Sequence, residues 1–345
     1  MINVRNKNVL ITGACGSIGT ALVNYLLELG TDGPSAIYCF DNNESAVFSL
    51  GNFIGESSKV RVFVGDICDR SEVDRRMVGV DFVFHLAALK HVVLSELSPN
   101  QVVRTNILGL QNIIASAVKF QVGAVVFSSS DKAVNPTNIM GTSKLMGERL
   151  ITAANAQSNK SNTRFFSVRF GNVLGSSGSV TTIFQDQIAQ GKNLTLTDRR
   201  MTRFVMSKTE AVRLILESCE IAKGGEVFVT KMPVIRIKDL AELFIEQLVE
   251  QSGYKKNTIQ IDQIGSKPGE KLYEELLSLD EARRTLELTD YFVILPAFRD
   301  VYKEITYEFS SVINEKIEDG YVSSAYPYME KSKLLALLRL NGLLN

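Results

Sequence analysis

The sequence predicts an α/β protein, a doubly wound parallel sheet with a smaller C-terminal lobe. Three observations carry that expectation. Short apolar runs alternate with helical patterns up to residue 170. A glycine-rich turn joins the first such run to the first helix, and after Gly171 the alternation gives way to an irregular mixture. Strand–helix alternation of this kind builds a parallel sheet covered by helices on both faces.

The expected strands are residues 8–12, 36–40, 60–64, 82–85, 124–128 and 165–169. Each is short, apolar and bounded by polar residues or glycine, as strands buried on both faces are. Between them, Ile18, Ala21, Leu22, Tyr25, Leu26 and Leu29 recur at helical spacing over residues 17–29, and Ile107, Leu110, Ile114, Ala117 and Val118 over 106–120. Asn106 is read as the cap of the second of these helices or as a support for an active-site lysine. Beyond Gly171, residues 226–230 read as one more strand returning to the sheet, and 239–251, 270–279 and 331–340 as amphipathic helices. No repeat, low-complexity linker or proline-rich hinge interrupts the chain. The expected division is a dinucleotide-binding domain over 1–172, rejoined by 205–232, and a substrate-binding lobe with a terminal helix over 173–345.

Composition narrows the function. The 345 residues are 45% hydrophobic and 22% charged, with 38 basic and 38 acidic side chains. Such a balance gives no field for nucleic acid, and no apolar run approaches the roughly 18 residues of a spanning helix. No membrane insertion is expected. The polar N-terminus runs directly into a strand, so no signal peptide is expected and the location is read as cytoplasmic. Cys15, Cys39, Cys68 and Cys219 form no C-x-x-C pair. They read as reduced thiols rather than a metal site.

The turn Gly13-Ala14-Cys15-Gly16-Ser17-Ile18-Gly19 carries the first specific chemistry. Glycine there allows a tight turn, lets the backbone approach a pyrophosphate, and packs helix against strand, while the helix N-terminus offers free N–H groups. Asp41 ends the second strand, where a carboxylate accepts both ribose hydroxyls and repels a 2′-phosphate; no arginine follows it. The expected cofactor is NAD rather than NADP. Asp66 and Ile67 follow the third strand, where Asp66 either bonds the adenine amino group or caps a helix. Ala87 and Ala88 follow the fourth, small enough for close approach to the cofactor. His85 reads as a satisfied core histidine.

Ser130-Asp131-Lys132, followed by Met140-x-x-x-Lys144, is the candidate reaction site. The stretch resembles the active site of a nucleotide-sugar short-chain dehydrogenase, whose usual Tyr-x-x-x-Lys here has methionine in the tyrosine position, with an acid and a second lysine upstream. That combination argues for elimination of water rather than simple alcohol oxidation. A thioether cannot usefully take a hydroxyl proton, so another group must do so: Lys132, Asp131 as carboxylate, or a water relayed to Lys144.

The strings GACGSIG, HLAALKH, SSSDKAVNPTNIMGTSK, RFGNVLGSSGSV, MTRF and KPGEKLYEEL occur in this order. With them the chain resembles the UDP-N-acetylglucosamine 4,6-dehydratases among the extended short-chain dehydrogenases, a Rossmann-type fold, and in particular members with methionine in place of tyrosine. The resemblance implies oxidation at C4 of a UDP-sugar, loss of water across C5 and C6, and return of the hydride to C6. It implies Asp131 as the acid at C6, Lys132 as the base at C5, Ser130 on the C4 oxygen, and Lys144 on the nicotinamide ribose. Lys90 and His91 are expected near the sugar or nicotinamide, Asn172 on a phosphate or the N-acetyl group, and Arg203 and Lys267 on the diphosphate. Lys267 and Ser177 stand where such proteins often have arginine. Retention at C5 and a homo-oligomer, with the terminal helix as a candidate contact, are also expected. The alternatives are a nucleotide-sugar 4-epimerase and a non-catalytic dinucleotide-binding regulator.

Overall fold

The computed structural model describes residues 4–157, 162–249, 251–255, 258–265, 269–298 and 305–344. Its parallel strands are β1 (Asn8–Thr12), β2 (Ala36–Asp41), β3 (Val60–Val64), β4 (Phe82–His85), β5 (Ala124–Ser130) and β6 (Arg164–Phe170). Among the described residues they lie in a ten-stranded sheet whose parallel part runs β3-β2-β1-β4-β5-β6. The order reverses between β1 and β4, and that switch point opens a crevice at the carboxyl ends of the strands. Helices α1 (Ser17–Glu28), α2 (Glu44–Ile54), α3 (Arg70–Met77), α4 (Val92–Leu97), α5 (Pro99–Val102), α6 (Leu110–Lys119) and α7 (Ile139–Gln157) connect the strands. α1 turns Leu22, Val23 and Leu26 into the core.

The chain then leaves the sheet. β7 (Asn172–Val173), α8 (Val180–Ala189), β8 (Leu194–Leu196) and β9 (Thr202–Met206) begin the lobe, and α9 (Lys208–Ile221) returns against α1. α9 starts at a capping box in which Ser207 and Glu210 satisfy each other's backbone N–H groups. β10 (Val227–Thr230) then adds parallel to β6. β11 (Val234–Arg236), α10 (Ile237–Leu248) and β12 (Ile261–Gln263) re-enter the lobe. Its separate core joins Phe184, Leu196, Ile235, Leu240 and Phe244 to Leu334 and Leu338 of the C-terminal helix.

Three findings depart from the sequence reading. Residues 270–279 are not a helix. They run extended into β13 (Glu275–Leu277), paired with β17 (Tyr321–Val322), and only α11 (Leu279–Ala282) is helical. Both backbone groups of Glu274 bond Ser323, and Glu274 and Leu276 point inward while Tyr273 is exposed, so tertiary pairing overrides the helical pattern. Next, β14 (Thr285–Leu288), β15 (Tyr291–Ile294) and β16 (Val312–Asn314) extend the main sheet antiparallel beyond β10, so the residues after 172 do not form one lobe. β15 is buried at every position, which ties it to the large core. The chain ends in α12 (Lys331–Leu340), packed on α10.

The third departure is Asn106. It caps no helix but sits buried inside a π-helical stretch, Val103–Gly109. Its amide grips Leu89 through both the backbone N–H (2.8 Å) and C=O (3.0 Å) and donates to Ser143 Oγ (2.9 Å). It therefore fastens the loop after β4 to α7. Among the described residues no helix is long and apolar enough to cross a membrane, and no cluster of three potential metal ligands occurs.

Candidate active site

A cleft of about 980 Å³ opens at the switch point, between the carboxyl ends of the parallel strands and the lobe. Its dinucleotide half begins at the turn after β1. Gly13 has φ 68°, and a Cβ there would stand 2.6 Å from the backbone nitrogen of Ala87. A Cβ on Gly19 would meet the Gly13 carbonyl oxygen at 2.3 Å. These two glycines let the turn press against the β4 loop and α1 against the turn. α1 has neither a side-chain cap nor an acid in its first turn, so its positive end is left for an anion. Gly16, Ser17, Ile18, Asp41, Asp66, Ile67, Ala87 and Ala88 all line the cleft.

Asp41 also organises the turn, accepting the Cys15 N–H (3.0 Å) and the Asn43 N–H (3.1 Å). Cys15 is not among the lining residues; its side chain packs against the core, and burial with Asp41 alongside pushes the thiol up to about 12. Asp66 is not the cap of α3, which is Asp69; it accepts the Cys68 N–H (2.9 Å) and faces the cleft. An unneutralised helix end, a glycine cradle and a carboxylate with no cation beside it among the described residues fit a dinucleotide without a 2′-phosphate.

The reaction half lies at the end of β5. Asp131 is buried, and its Oδ1 accepts from Ser130 Oγ (2.5 Å), the Lys132 N–H (2.9 Å) and Lys132 Nζ (3.0 Å). Asn172 Nδ2 lies 3.4 Å from Oδ2. Burial works to lower the Lys132 pKa, but Asp131 and Glu274 outweigh it and hold the ammonium above its usual range. The sequence reading required a neutral Lys132; this arrangement favours the charged form. Met140 and Lys144 share the buried face of α7. Lys144 Nζ donates to the Ser128 carbonyl (2.8 Å), and burial brings its pKa down to about 8 against the pull of Glu148.

His85 is buried beneath this site, with Nδ1 2.7 Å from Thr12 Oγ1, and burial lowers its pKa to about 3. The reading of a core histidine accounts for one ring nitrogen; Nε2 has no hydrogen-bond partner among the described residues.

On the lobe side, Lys90 Nζ donates to the Ser177 carbonyl (2.7 Å), and Ser17 Oγ accepts the Ser177 N–H (3.0 Å). The loop at Ser177 thus bridges the glycine turn and the β4 loop, beside His91. Arg203 is buried, with its guanidinium on the Thr202, Leu272 and Lys271 carbonyls and 3.3 Å from Glu274. Lys267 lies outside the described residues.

Residues 9–296 match the family model described as polysaccharide biosynthesis protein. The chain belongs to this family. Within the polysaccharide biosynthesis family, a Methanocaldococcus jannaschii protein named only as an uncharacterized membrane protein is 44% identical over 97% of this chain and 96% of its own length. A Campylobacter jejuni protein named UDP-N-acetylglucosamine 4,6-dehydratase (inverting) is 37% identical over 92% of each chain. A Rickettsia canadensis protein named UDP-glucose 4-epimerase is 37% identical over 86% of this chain and 85% of its own. The X-ray structure of Pen from Bacillus thuringiensis superposes with a TM-score of 0.89 at 39% identity, covering 98% of this chain and 99% of that one.

One site residue of this family member escaped the sequence reading. Glu274 is buried, 3.7 Å from Lys132 Nζ. Burial, then the Asp131 carboxylate, raise its pKa. The only sequence signal was a run of acids in KLYEEL, which a helix pattern explained equally well.

Proposed function

We propose that this protein is a UDP-N-acetylhexosamine 4,6-dehydratase that uses NAD, with UDP-N-acetylglucosamine as substrate. The observation that supports this most is the buried Asp131 carboxylate, joined to Lys132 at 3.0 Å. Held by the glycine turn at Gly13, Gly16 and Gly19 and by Asp41, NAD would supply the hydride chemistry at C4 and C6. Asp131 accepts three hydrogen bonds at one oxygen, which hold it in place at the end of β5. As a carboxylate it takes the C4 hydroxyl proton, the task Met140 cannot perform, and then delivers that proton to the departing C6 hydroxyl as water leaves. Lys132, as the amine, removes the C5 proton, which the new 4-ketone has acidified. The same amine returns a proton to the face it left, so C5 is retained in this reading. Ser130 donates to the C4 oxygen, and Lys144 holds the nicotinamide ribose.

A second reading, 4-epimerisation, is favoured by the name of the Rickettsia relative. It gives Lys132 no proton to move at C5. Both are tested by incubating the protein with UDP-N-acetylglucosamine in D₂O and following proton NMR. A new C6 methyl signal with deuterium at C5, abolished in Lys132→Ala while NAD still binds, is the expected result. Reduction of the ketone followed by the H4/H5 couplings then reads the C5 configuration. A C4 epimer alone would replace this function with the second.

A further inference from the structure

We propose that Glu274 is a positioning residue for Lys132: it receives the lysine's surplus proton and so turns the ammonium into the amine that attacks C5–H. The inference rests on the dehydratase reading above.

Lys132 is held between two acids, Asp131 at 3.0 Å and Glu274 at 3.7 Å. An ammonium in that setting cannot accept a proton. Bulk solvent is a poor sink once a sugar nucleotide fills the cleft, so a protein group must take the proton. Asp131 is committed elsewhere, because it must remain a carboxylate to receive the C4 hydroxyl proton. Glu274 is the other acid in reach.

Its setting suits the task. The backbone is pinned on both sides, its N–H to Ser323 Oγ (2.9 Å) and its C=O to the Ser323 N–H (2.9 Å). The side chain is 5% exposed. The charged groups facing it are Asp131 and Lys132 from the turn after β5, Arg203 from β9 and Lys271 from its own segment. Burial and the neighbouring Asp131 favour its neutral form over Arg203, Lys132 and Lys271, which favour the anion.

The step balances. One Nζ–H bond of Lys132 breaks and an O–H bond forms on Glu274 Oε1, so ammonium and carboxylate become amine and carboxylic acid with no change in net charge. A transfer that leaves the net charge unchanged suits a pair whose acid is buried. The lysine must approach by about 0.8 Å to reach hydrogen-bond distance, within the range of its flexible stem. Glu274 returns the proton to Lys132 after product leaves.

The test uses the full chain with NAD, and UDP-N-acetylglucosamine deuterated at C4 or at C5. Glu274→Gln is expected to lower kcat at pH 7 by about 10²-fold. The C5 isotope effect should rise and the C4 effect vanish, because C5 deprotonation becomes rate-limiting. Rate should climb as pH approaches the ordinary lysine value of about 10.4, where solvent deprotonates Lys132 before the sugar nucleotide fills the cleft. Glu274→Asp, which keeps an acceptor, should recover part of the neutral-pH rate and carries the test if the glutamine variant does not fold. A wild-type rate in Glu274→Gln, or a loss equal at every pH with unchanged isotope effects, would overturn the proposal and leave Glu274 a structural ion partner. If the wild type itself made no C6-methyl product, the dehydratase reading and this proposal would fall together.

Discussion

Replacing Arg169 with methionine should cost this protein about 3–5 kcal/mol of stability. Arg169 lies in β6 with no exposed surface, and all five of its N–H donors are used. Nε and Nη2 meet Glu148 of α7 at 2.7 Å each, Nη1 and Nη2 meet Glu281 of α11 at 2.9 and 2.7 Å, and Nη1 also reaches the Leu276 carbonyl at 2.9 Å. Methionine fills much of the same space but strands two buried carboxylates. Glu281 gives an independent measure. Burial pushes its pKa up, yet Arg169 brings it down to about 2 from 4.5, which corresponds to about 3 kcal/mol. Because the folded-state pKa is depressed, this stabilisation is complete above pH 4.5 and is lost as pH falls toward about 2. The assay is equilibrium urea denaturation followed by far-UV circular dichroism, since the chain has no tryptophan. Adding Glu148→Gln and Glu281→Gln to Arg169→Met should restore at least half of the loss. A loss under about 1 kcal/mol, or no recovery in the triple variant, would refute the account of a guanidinium balancing two buried acids.

Asp41→Ala should weaken NAD far more than NADP in a binding titration, and equal losses would count against the ribose assignment. Met140→Tyr crowds a buried position and should cost about 1–3 kcal/mol by denaturation without raising kcat; a gain above about tenfold would show that Asp131 is not the C4 base. His85, held near 3 by burial, stays neutral when folded while the unfolded ring protonates. Stability should therefore fall as pH drops below 6.5, by about 2 kcal/mol at pH 5, and His85→Gln should flatten that slope.

The parallel half of the fold was legible because each strand is a closed apolar run bounded by breakers, and β1, β3 and β4 have the expected ends. The cofactor cradle was legible for a similar reason, since its chemistry is local to one turn and one strand end. Glu274 and Asn106 were not, because their partners, Lys132 and Leu89, are distant in sequence and only the fold brings them together. The helix expected over 270–279 failed because a pairing with residues 321–322, supplied by the far end of the chain, decides the backbone there. β15 had a readable signal in YFVIL, but its place in the main sheet depends on β10 being there first.

The position of β10 also constrains how the protein is made. On the ribosome the dinucleotide-binding half emerges first, and it leaves one long edge of β6 without a partner until β10 has been synthesised, after the first lobe strands. An unpaired edge of that kind invites association with other nascent chains. Cutting the gene after residue 172 would therefore yield an aggregating fragment rather than a minimal dinucleotide binder. A workable excision would have to keep α9, β10 and the antiparallel strands beyond it, and replace only the lobe segments that loop out between them.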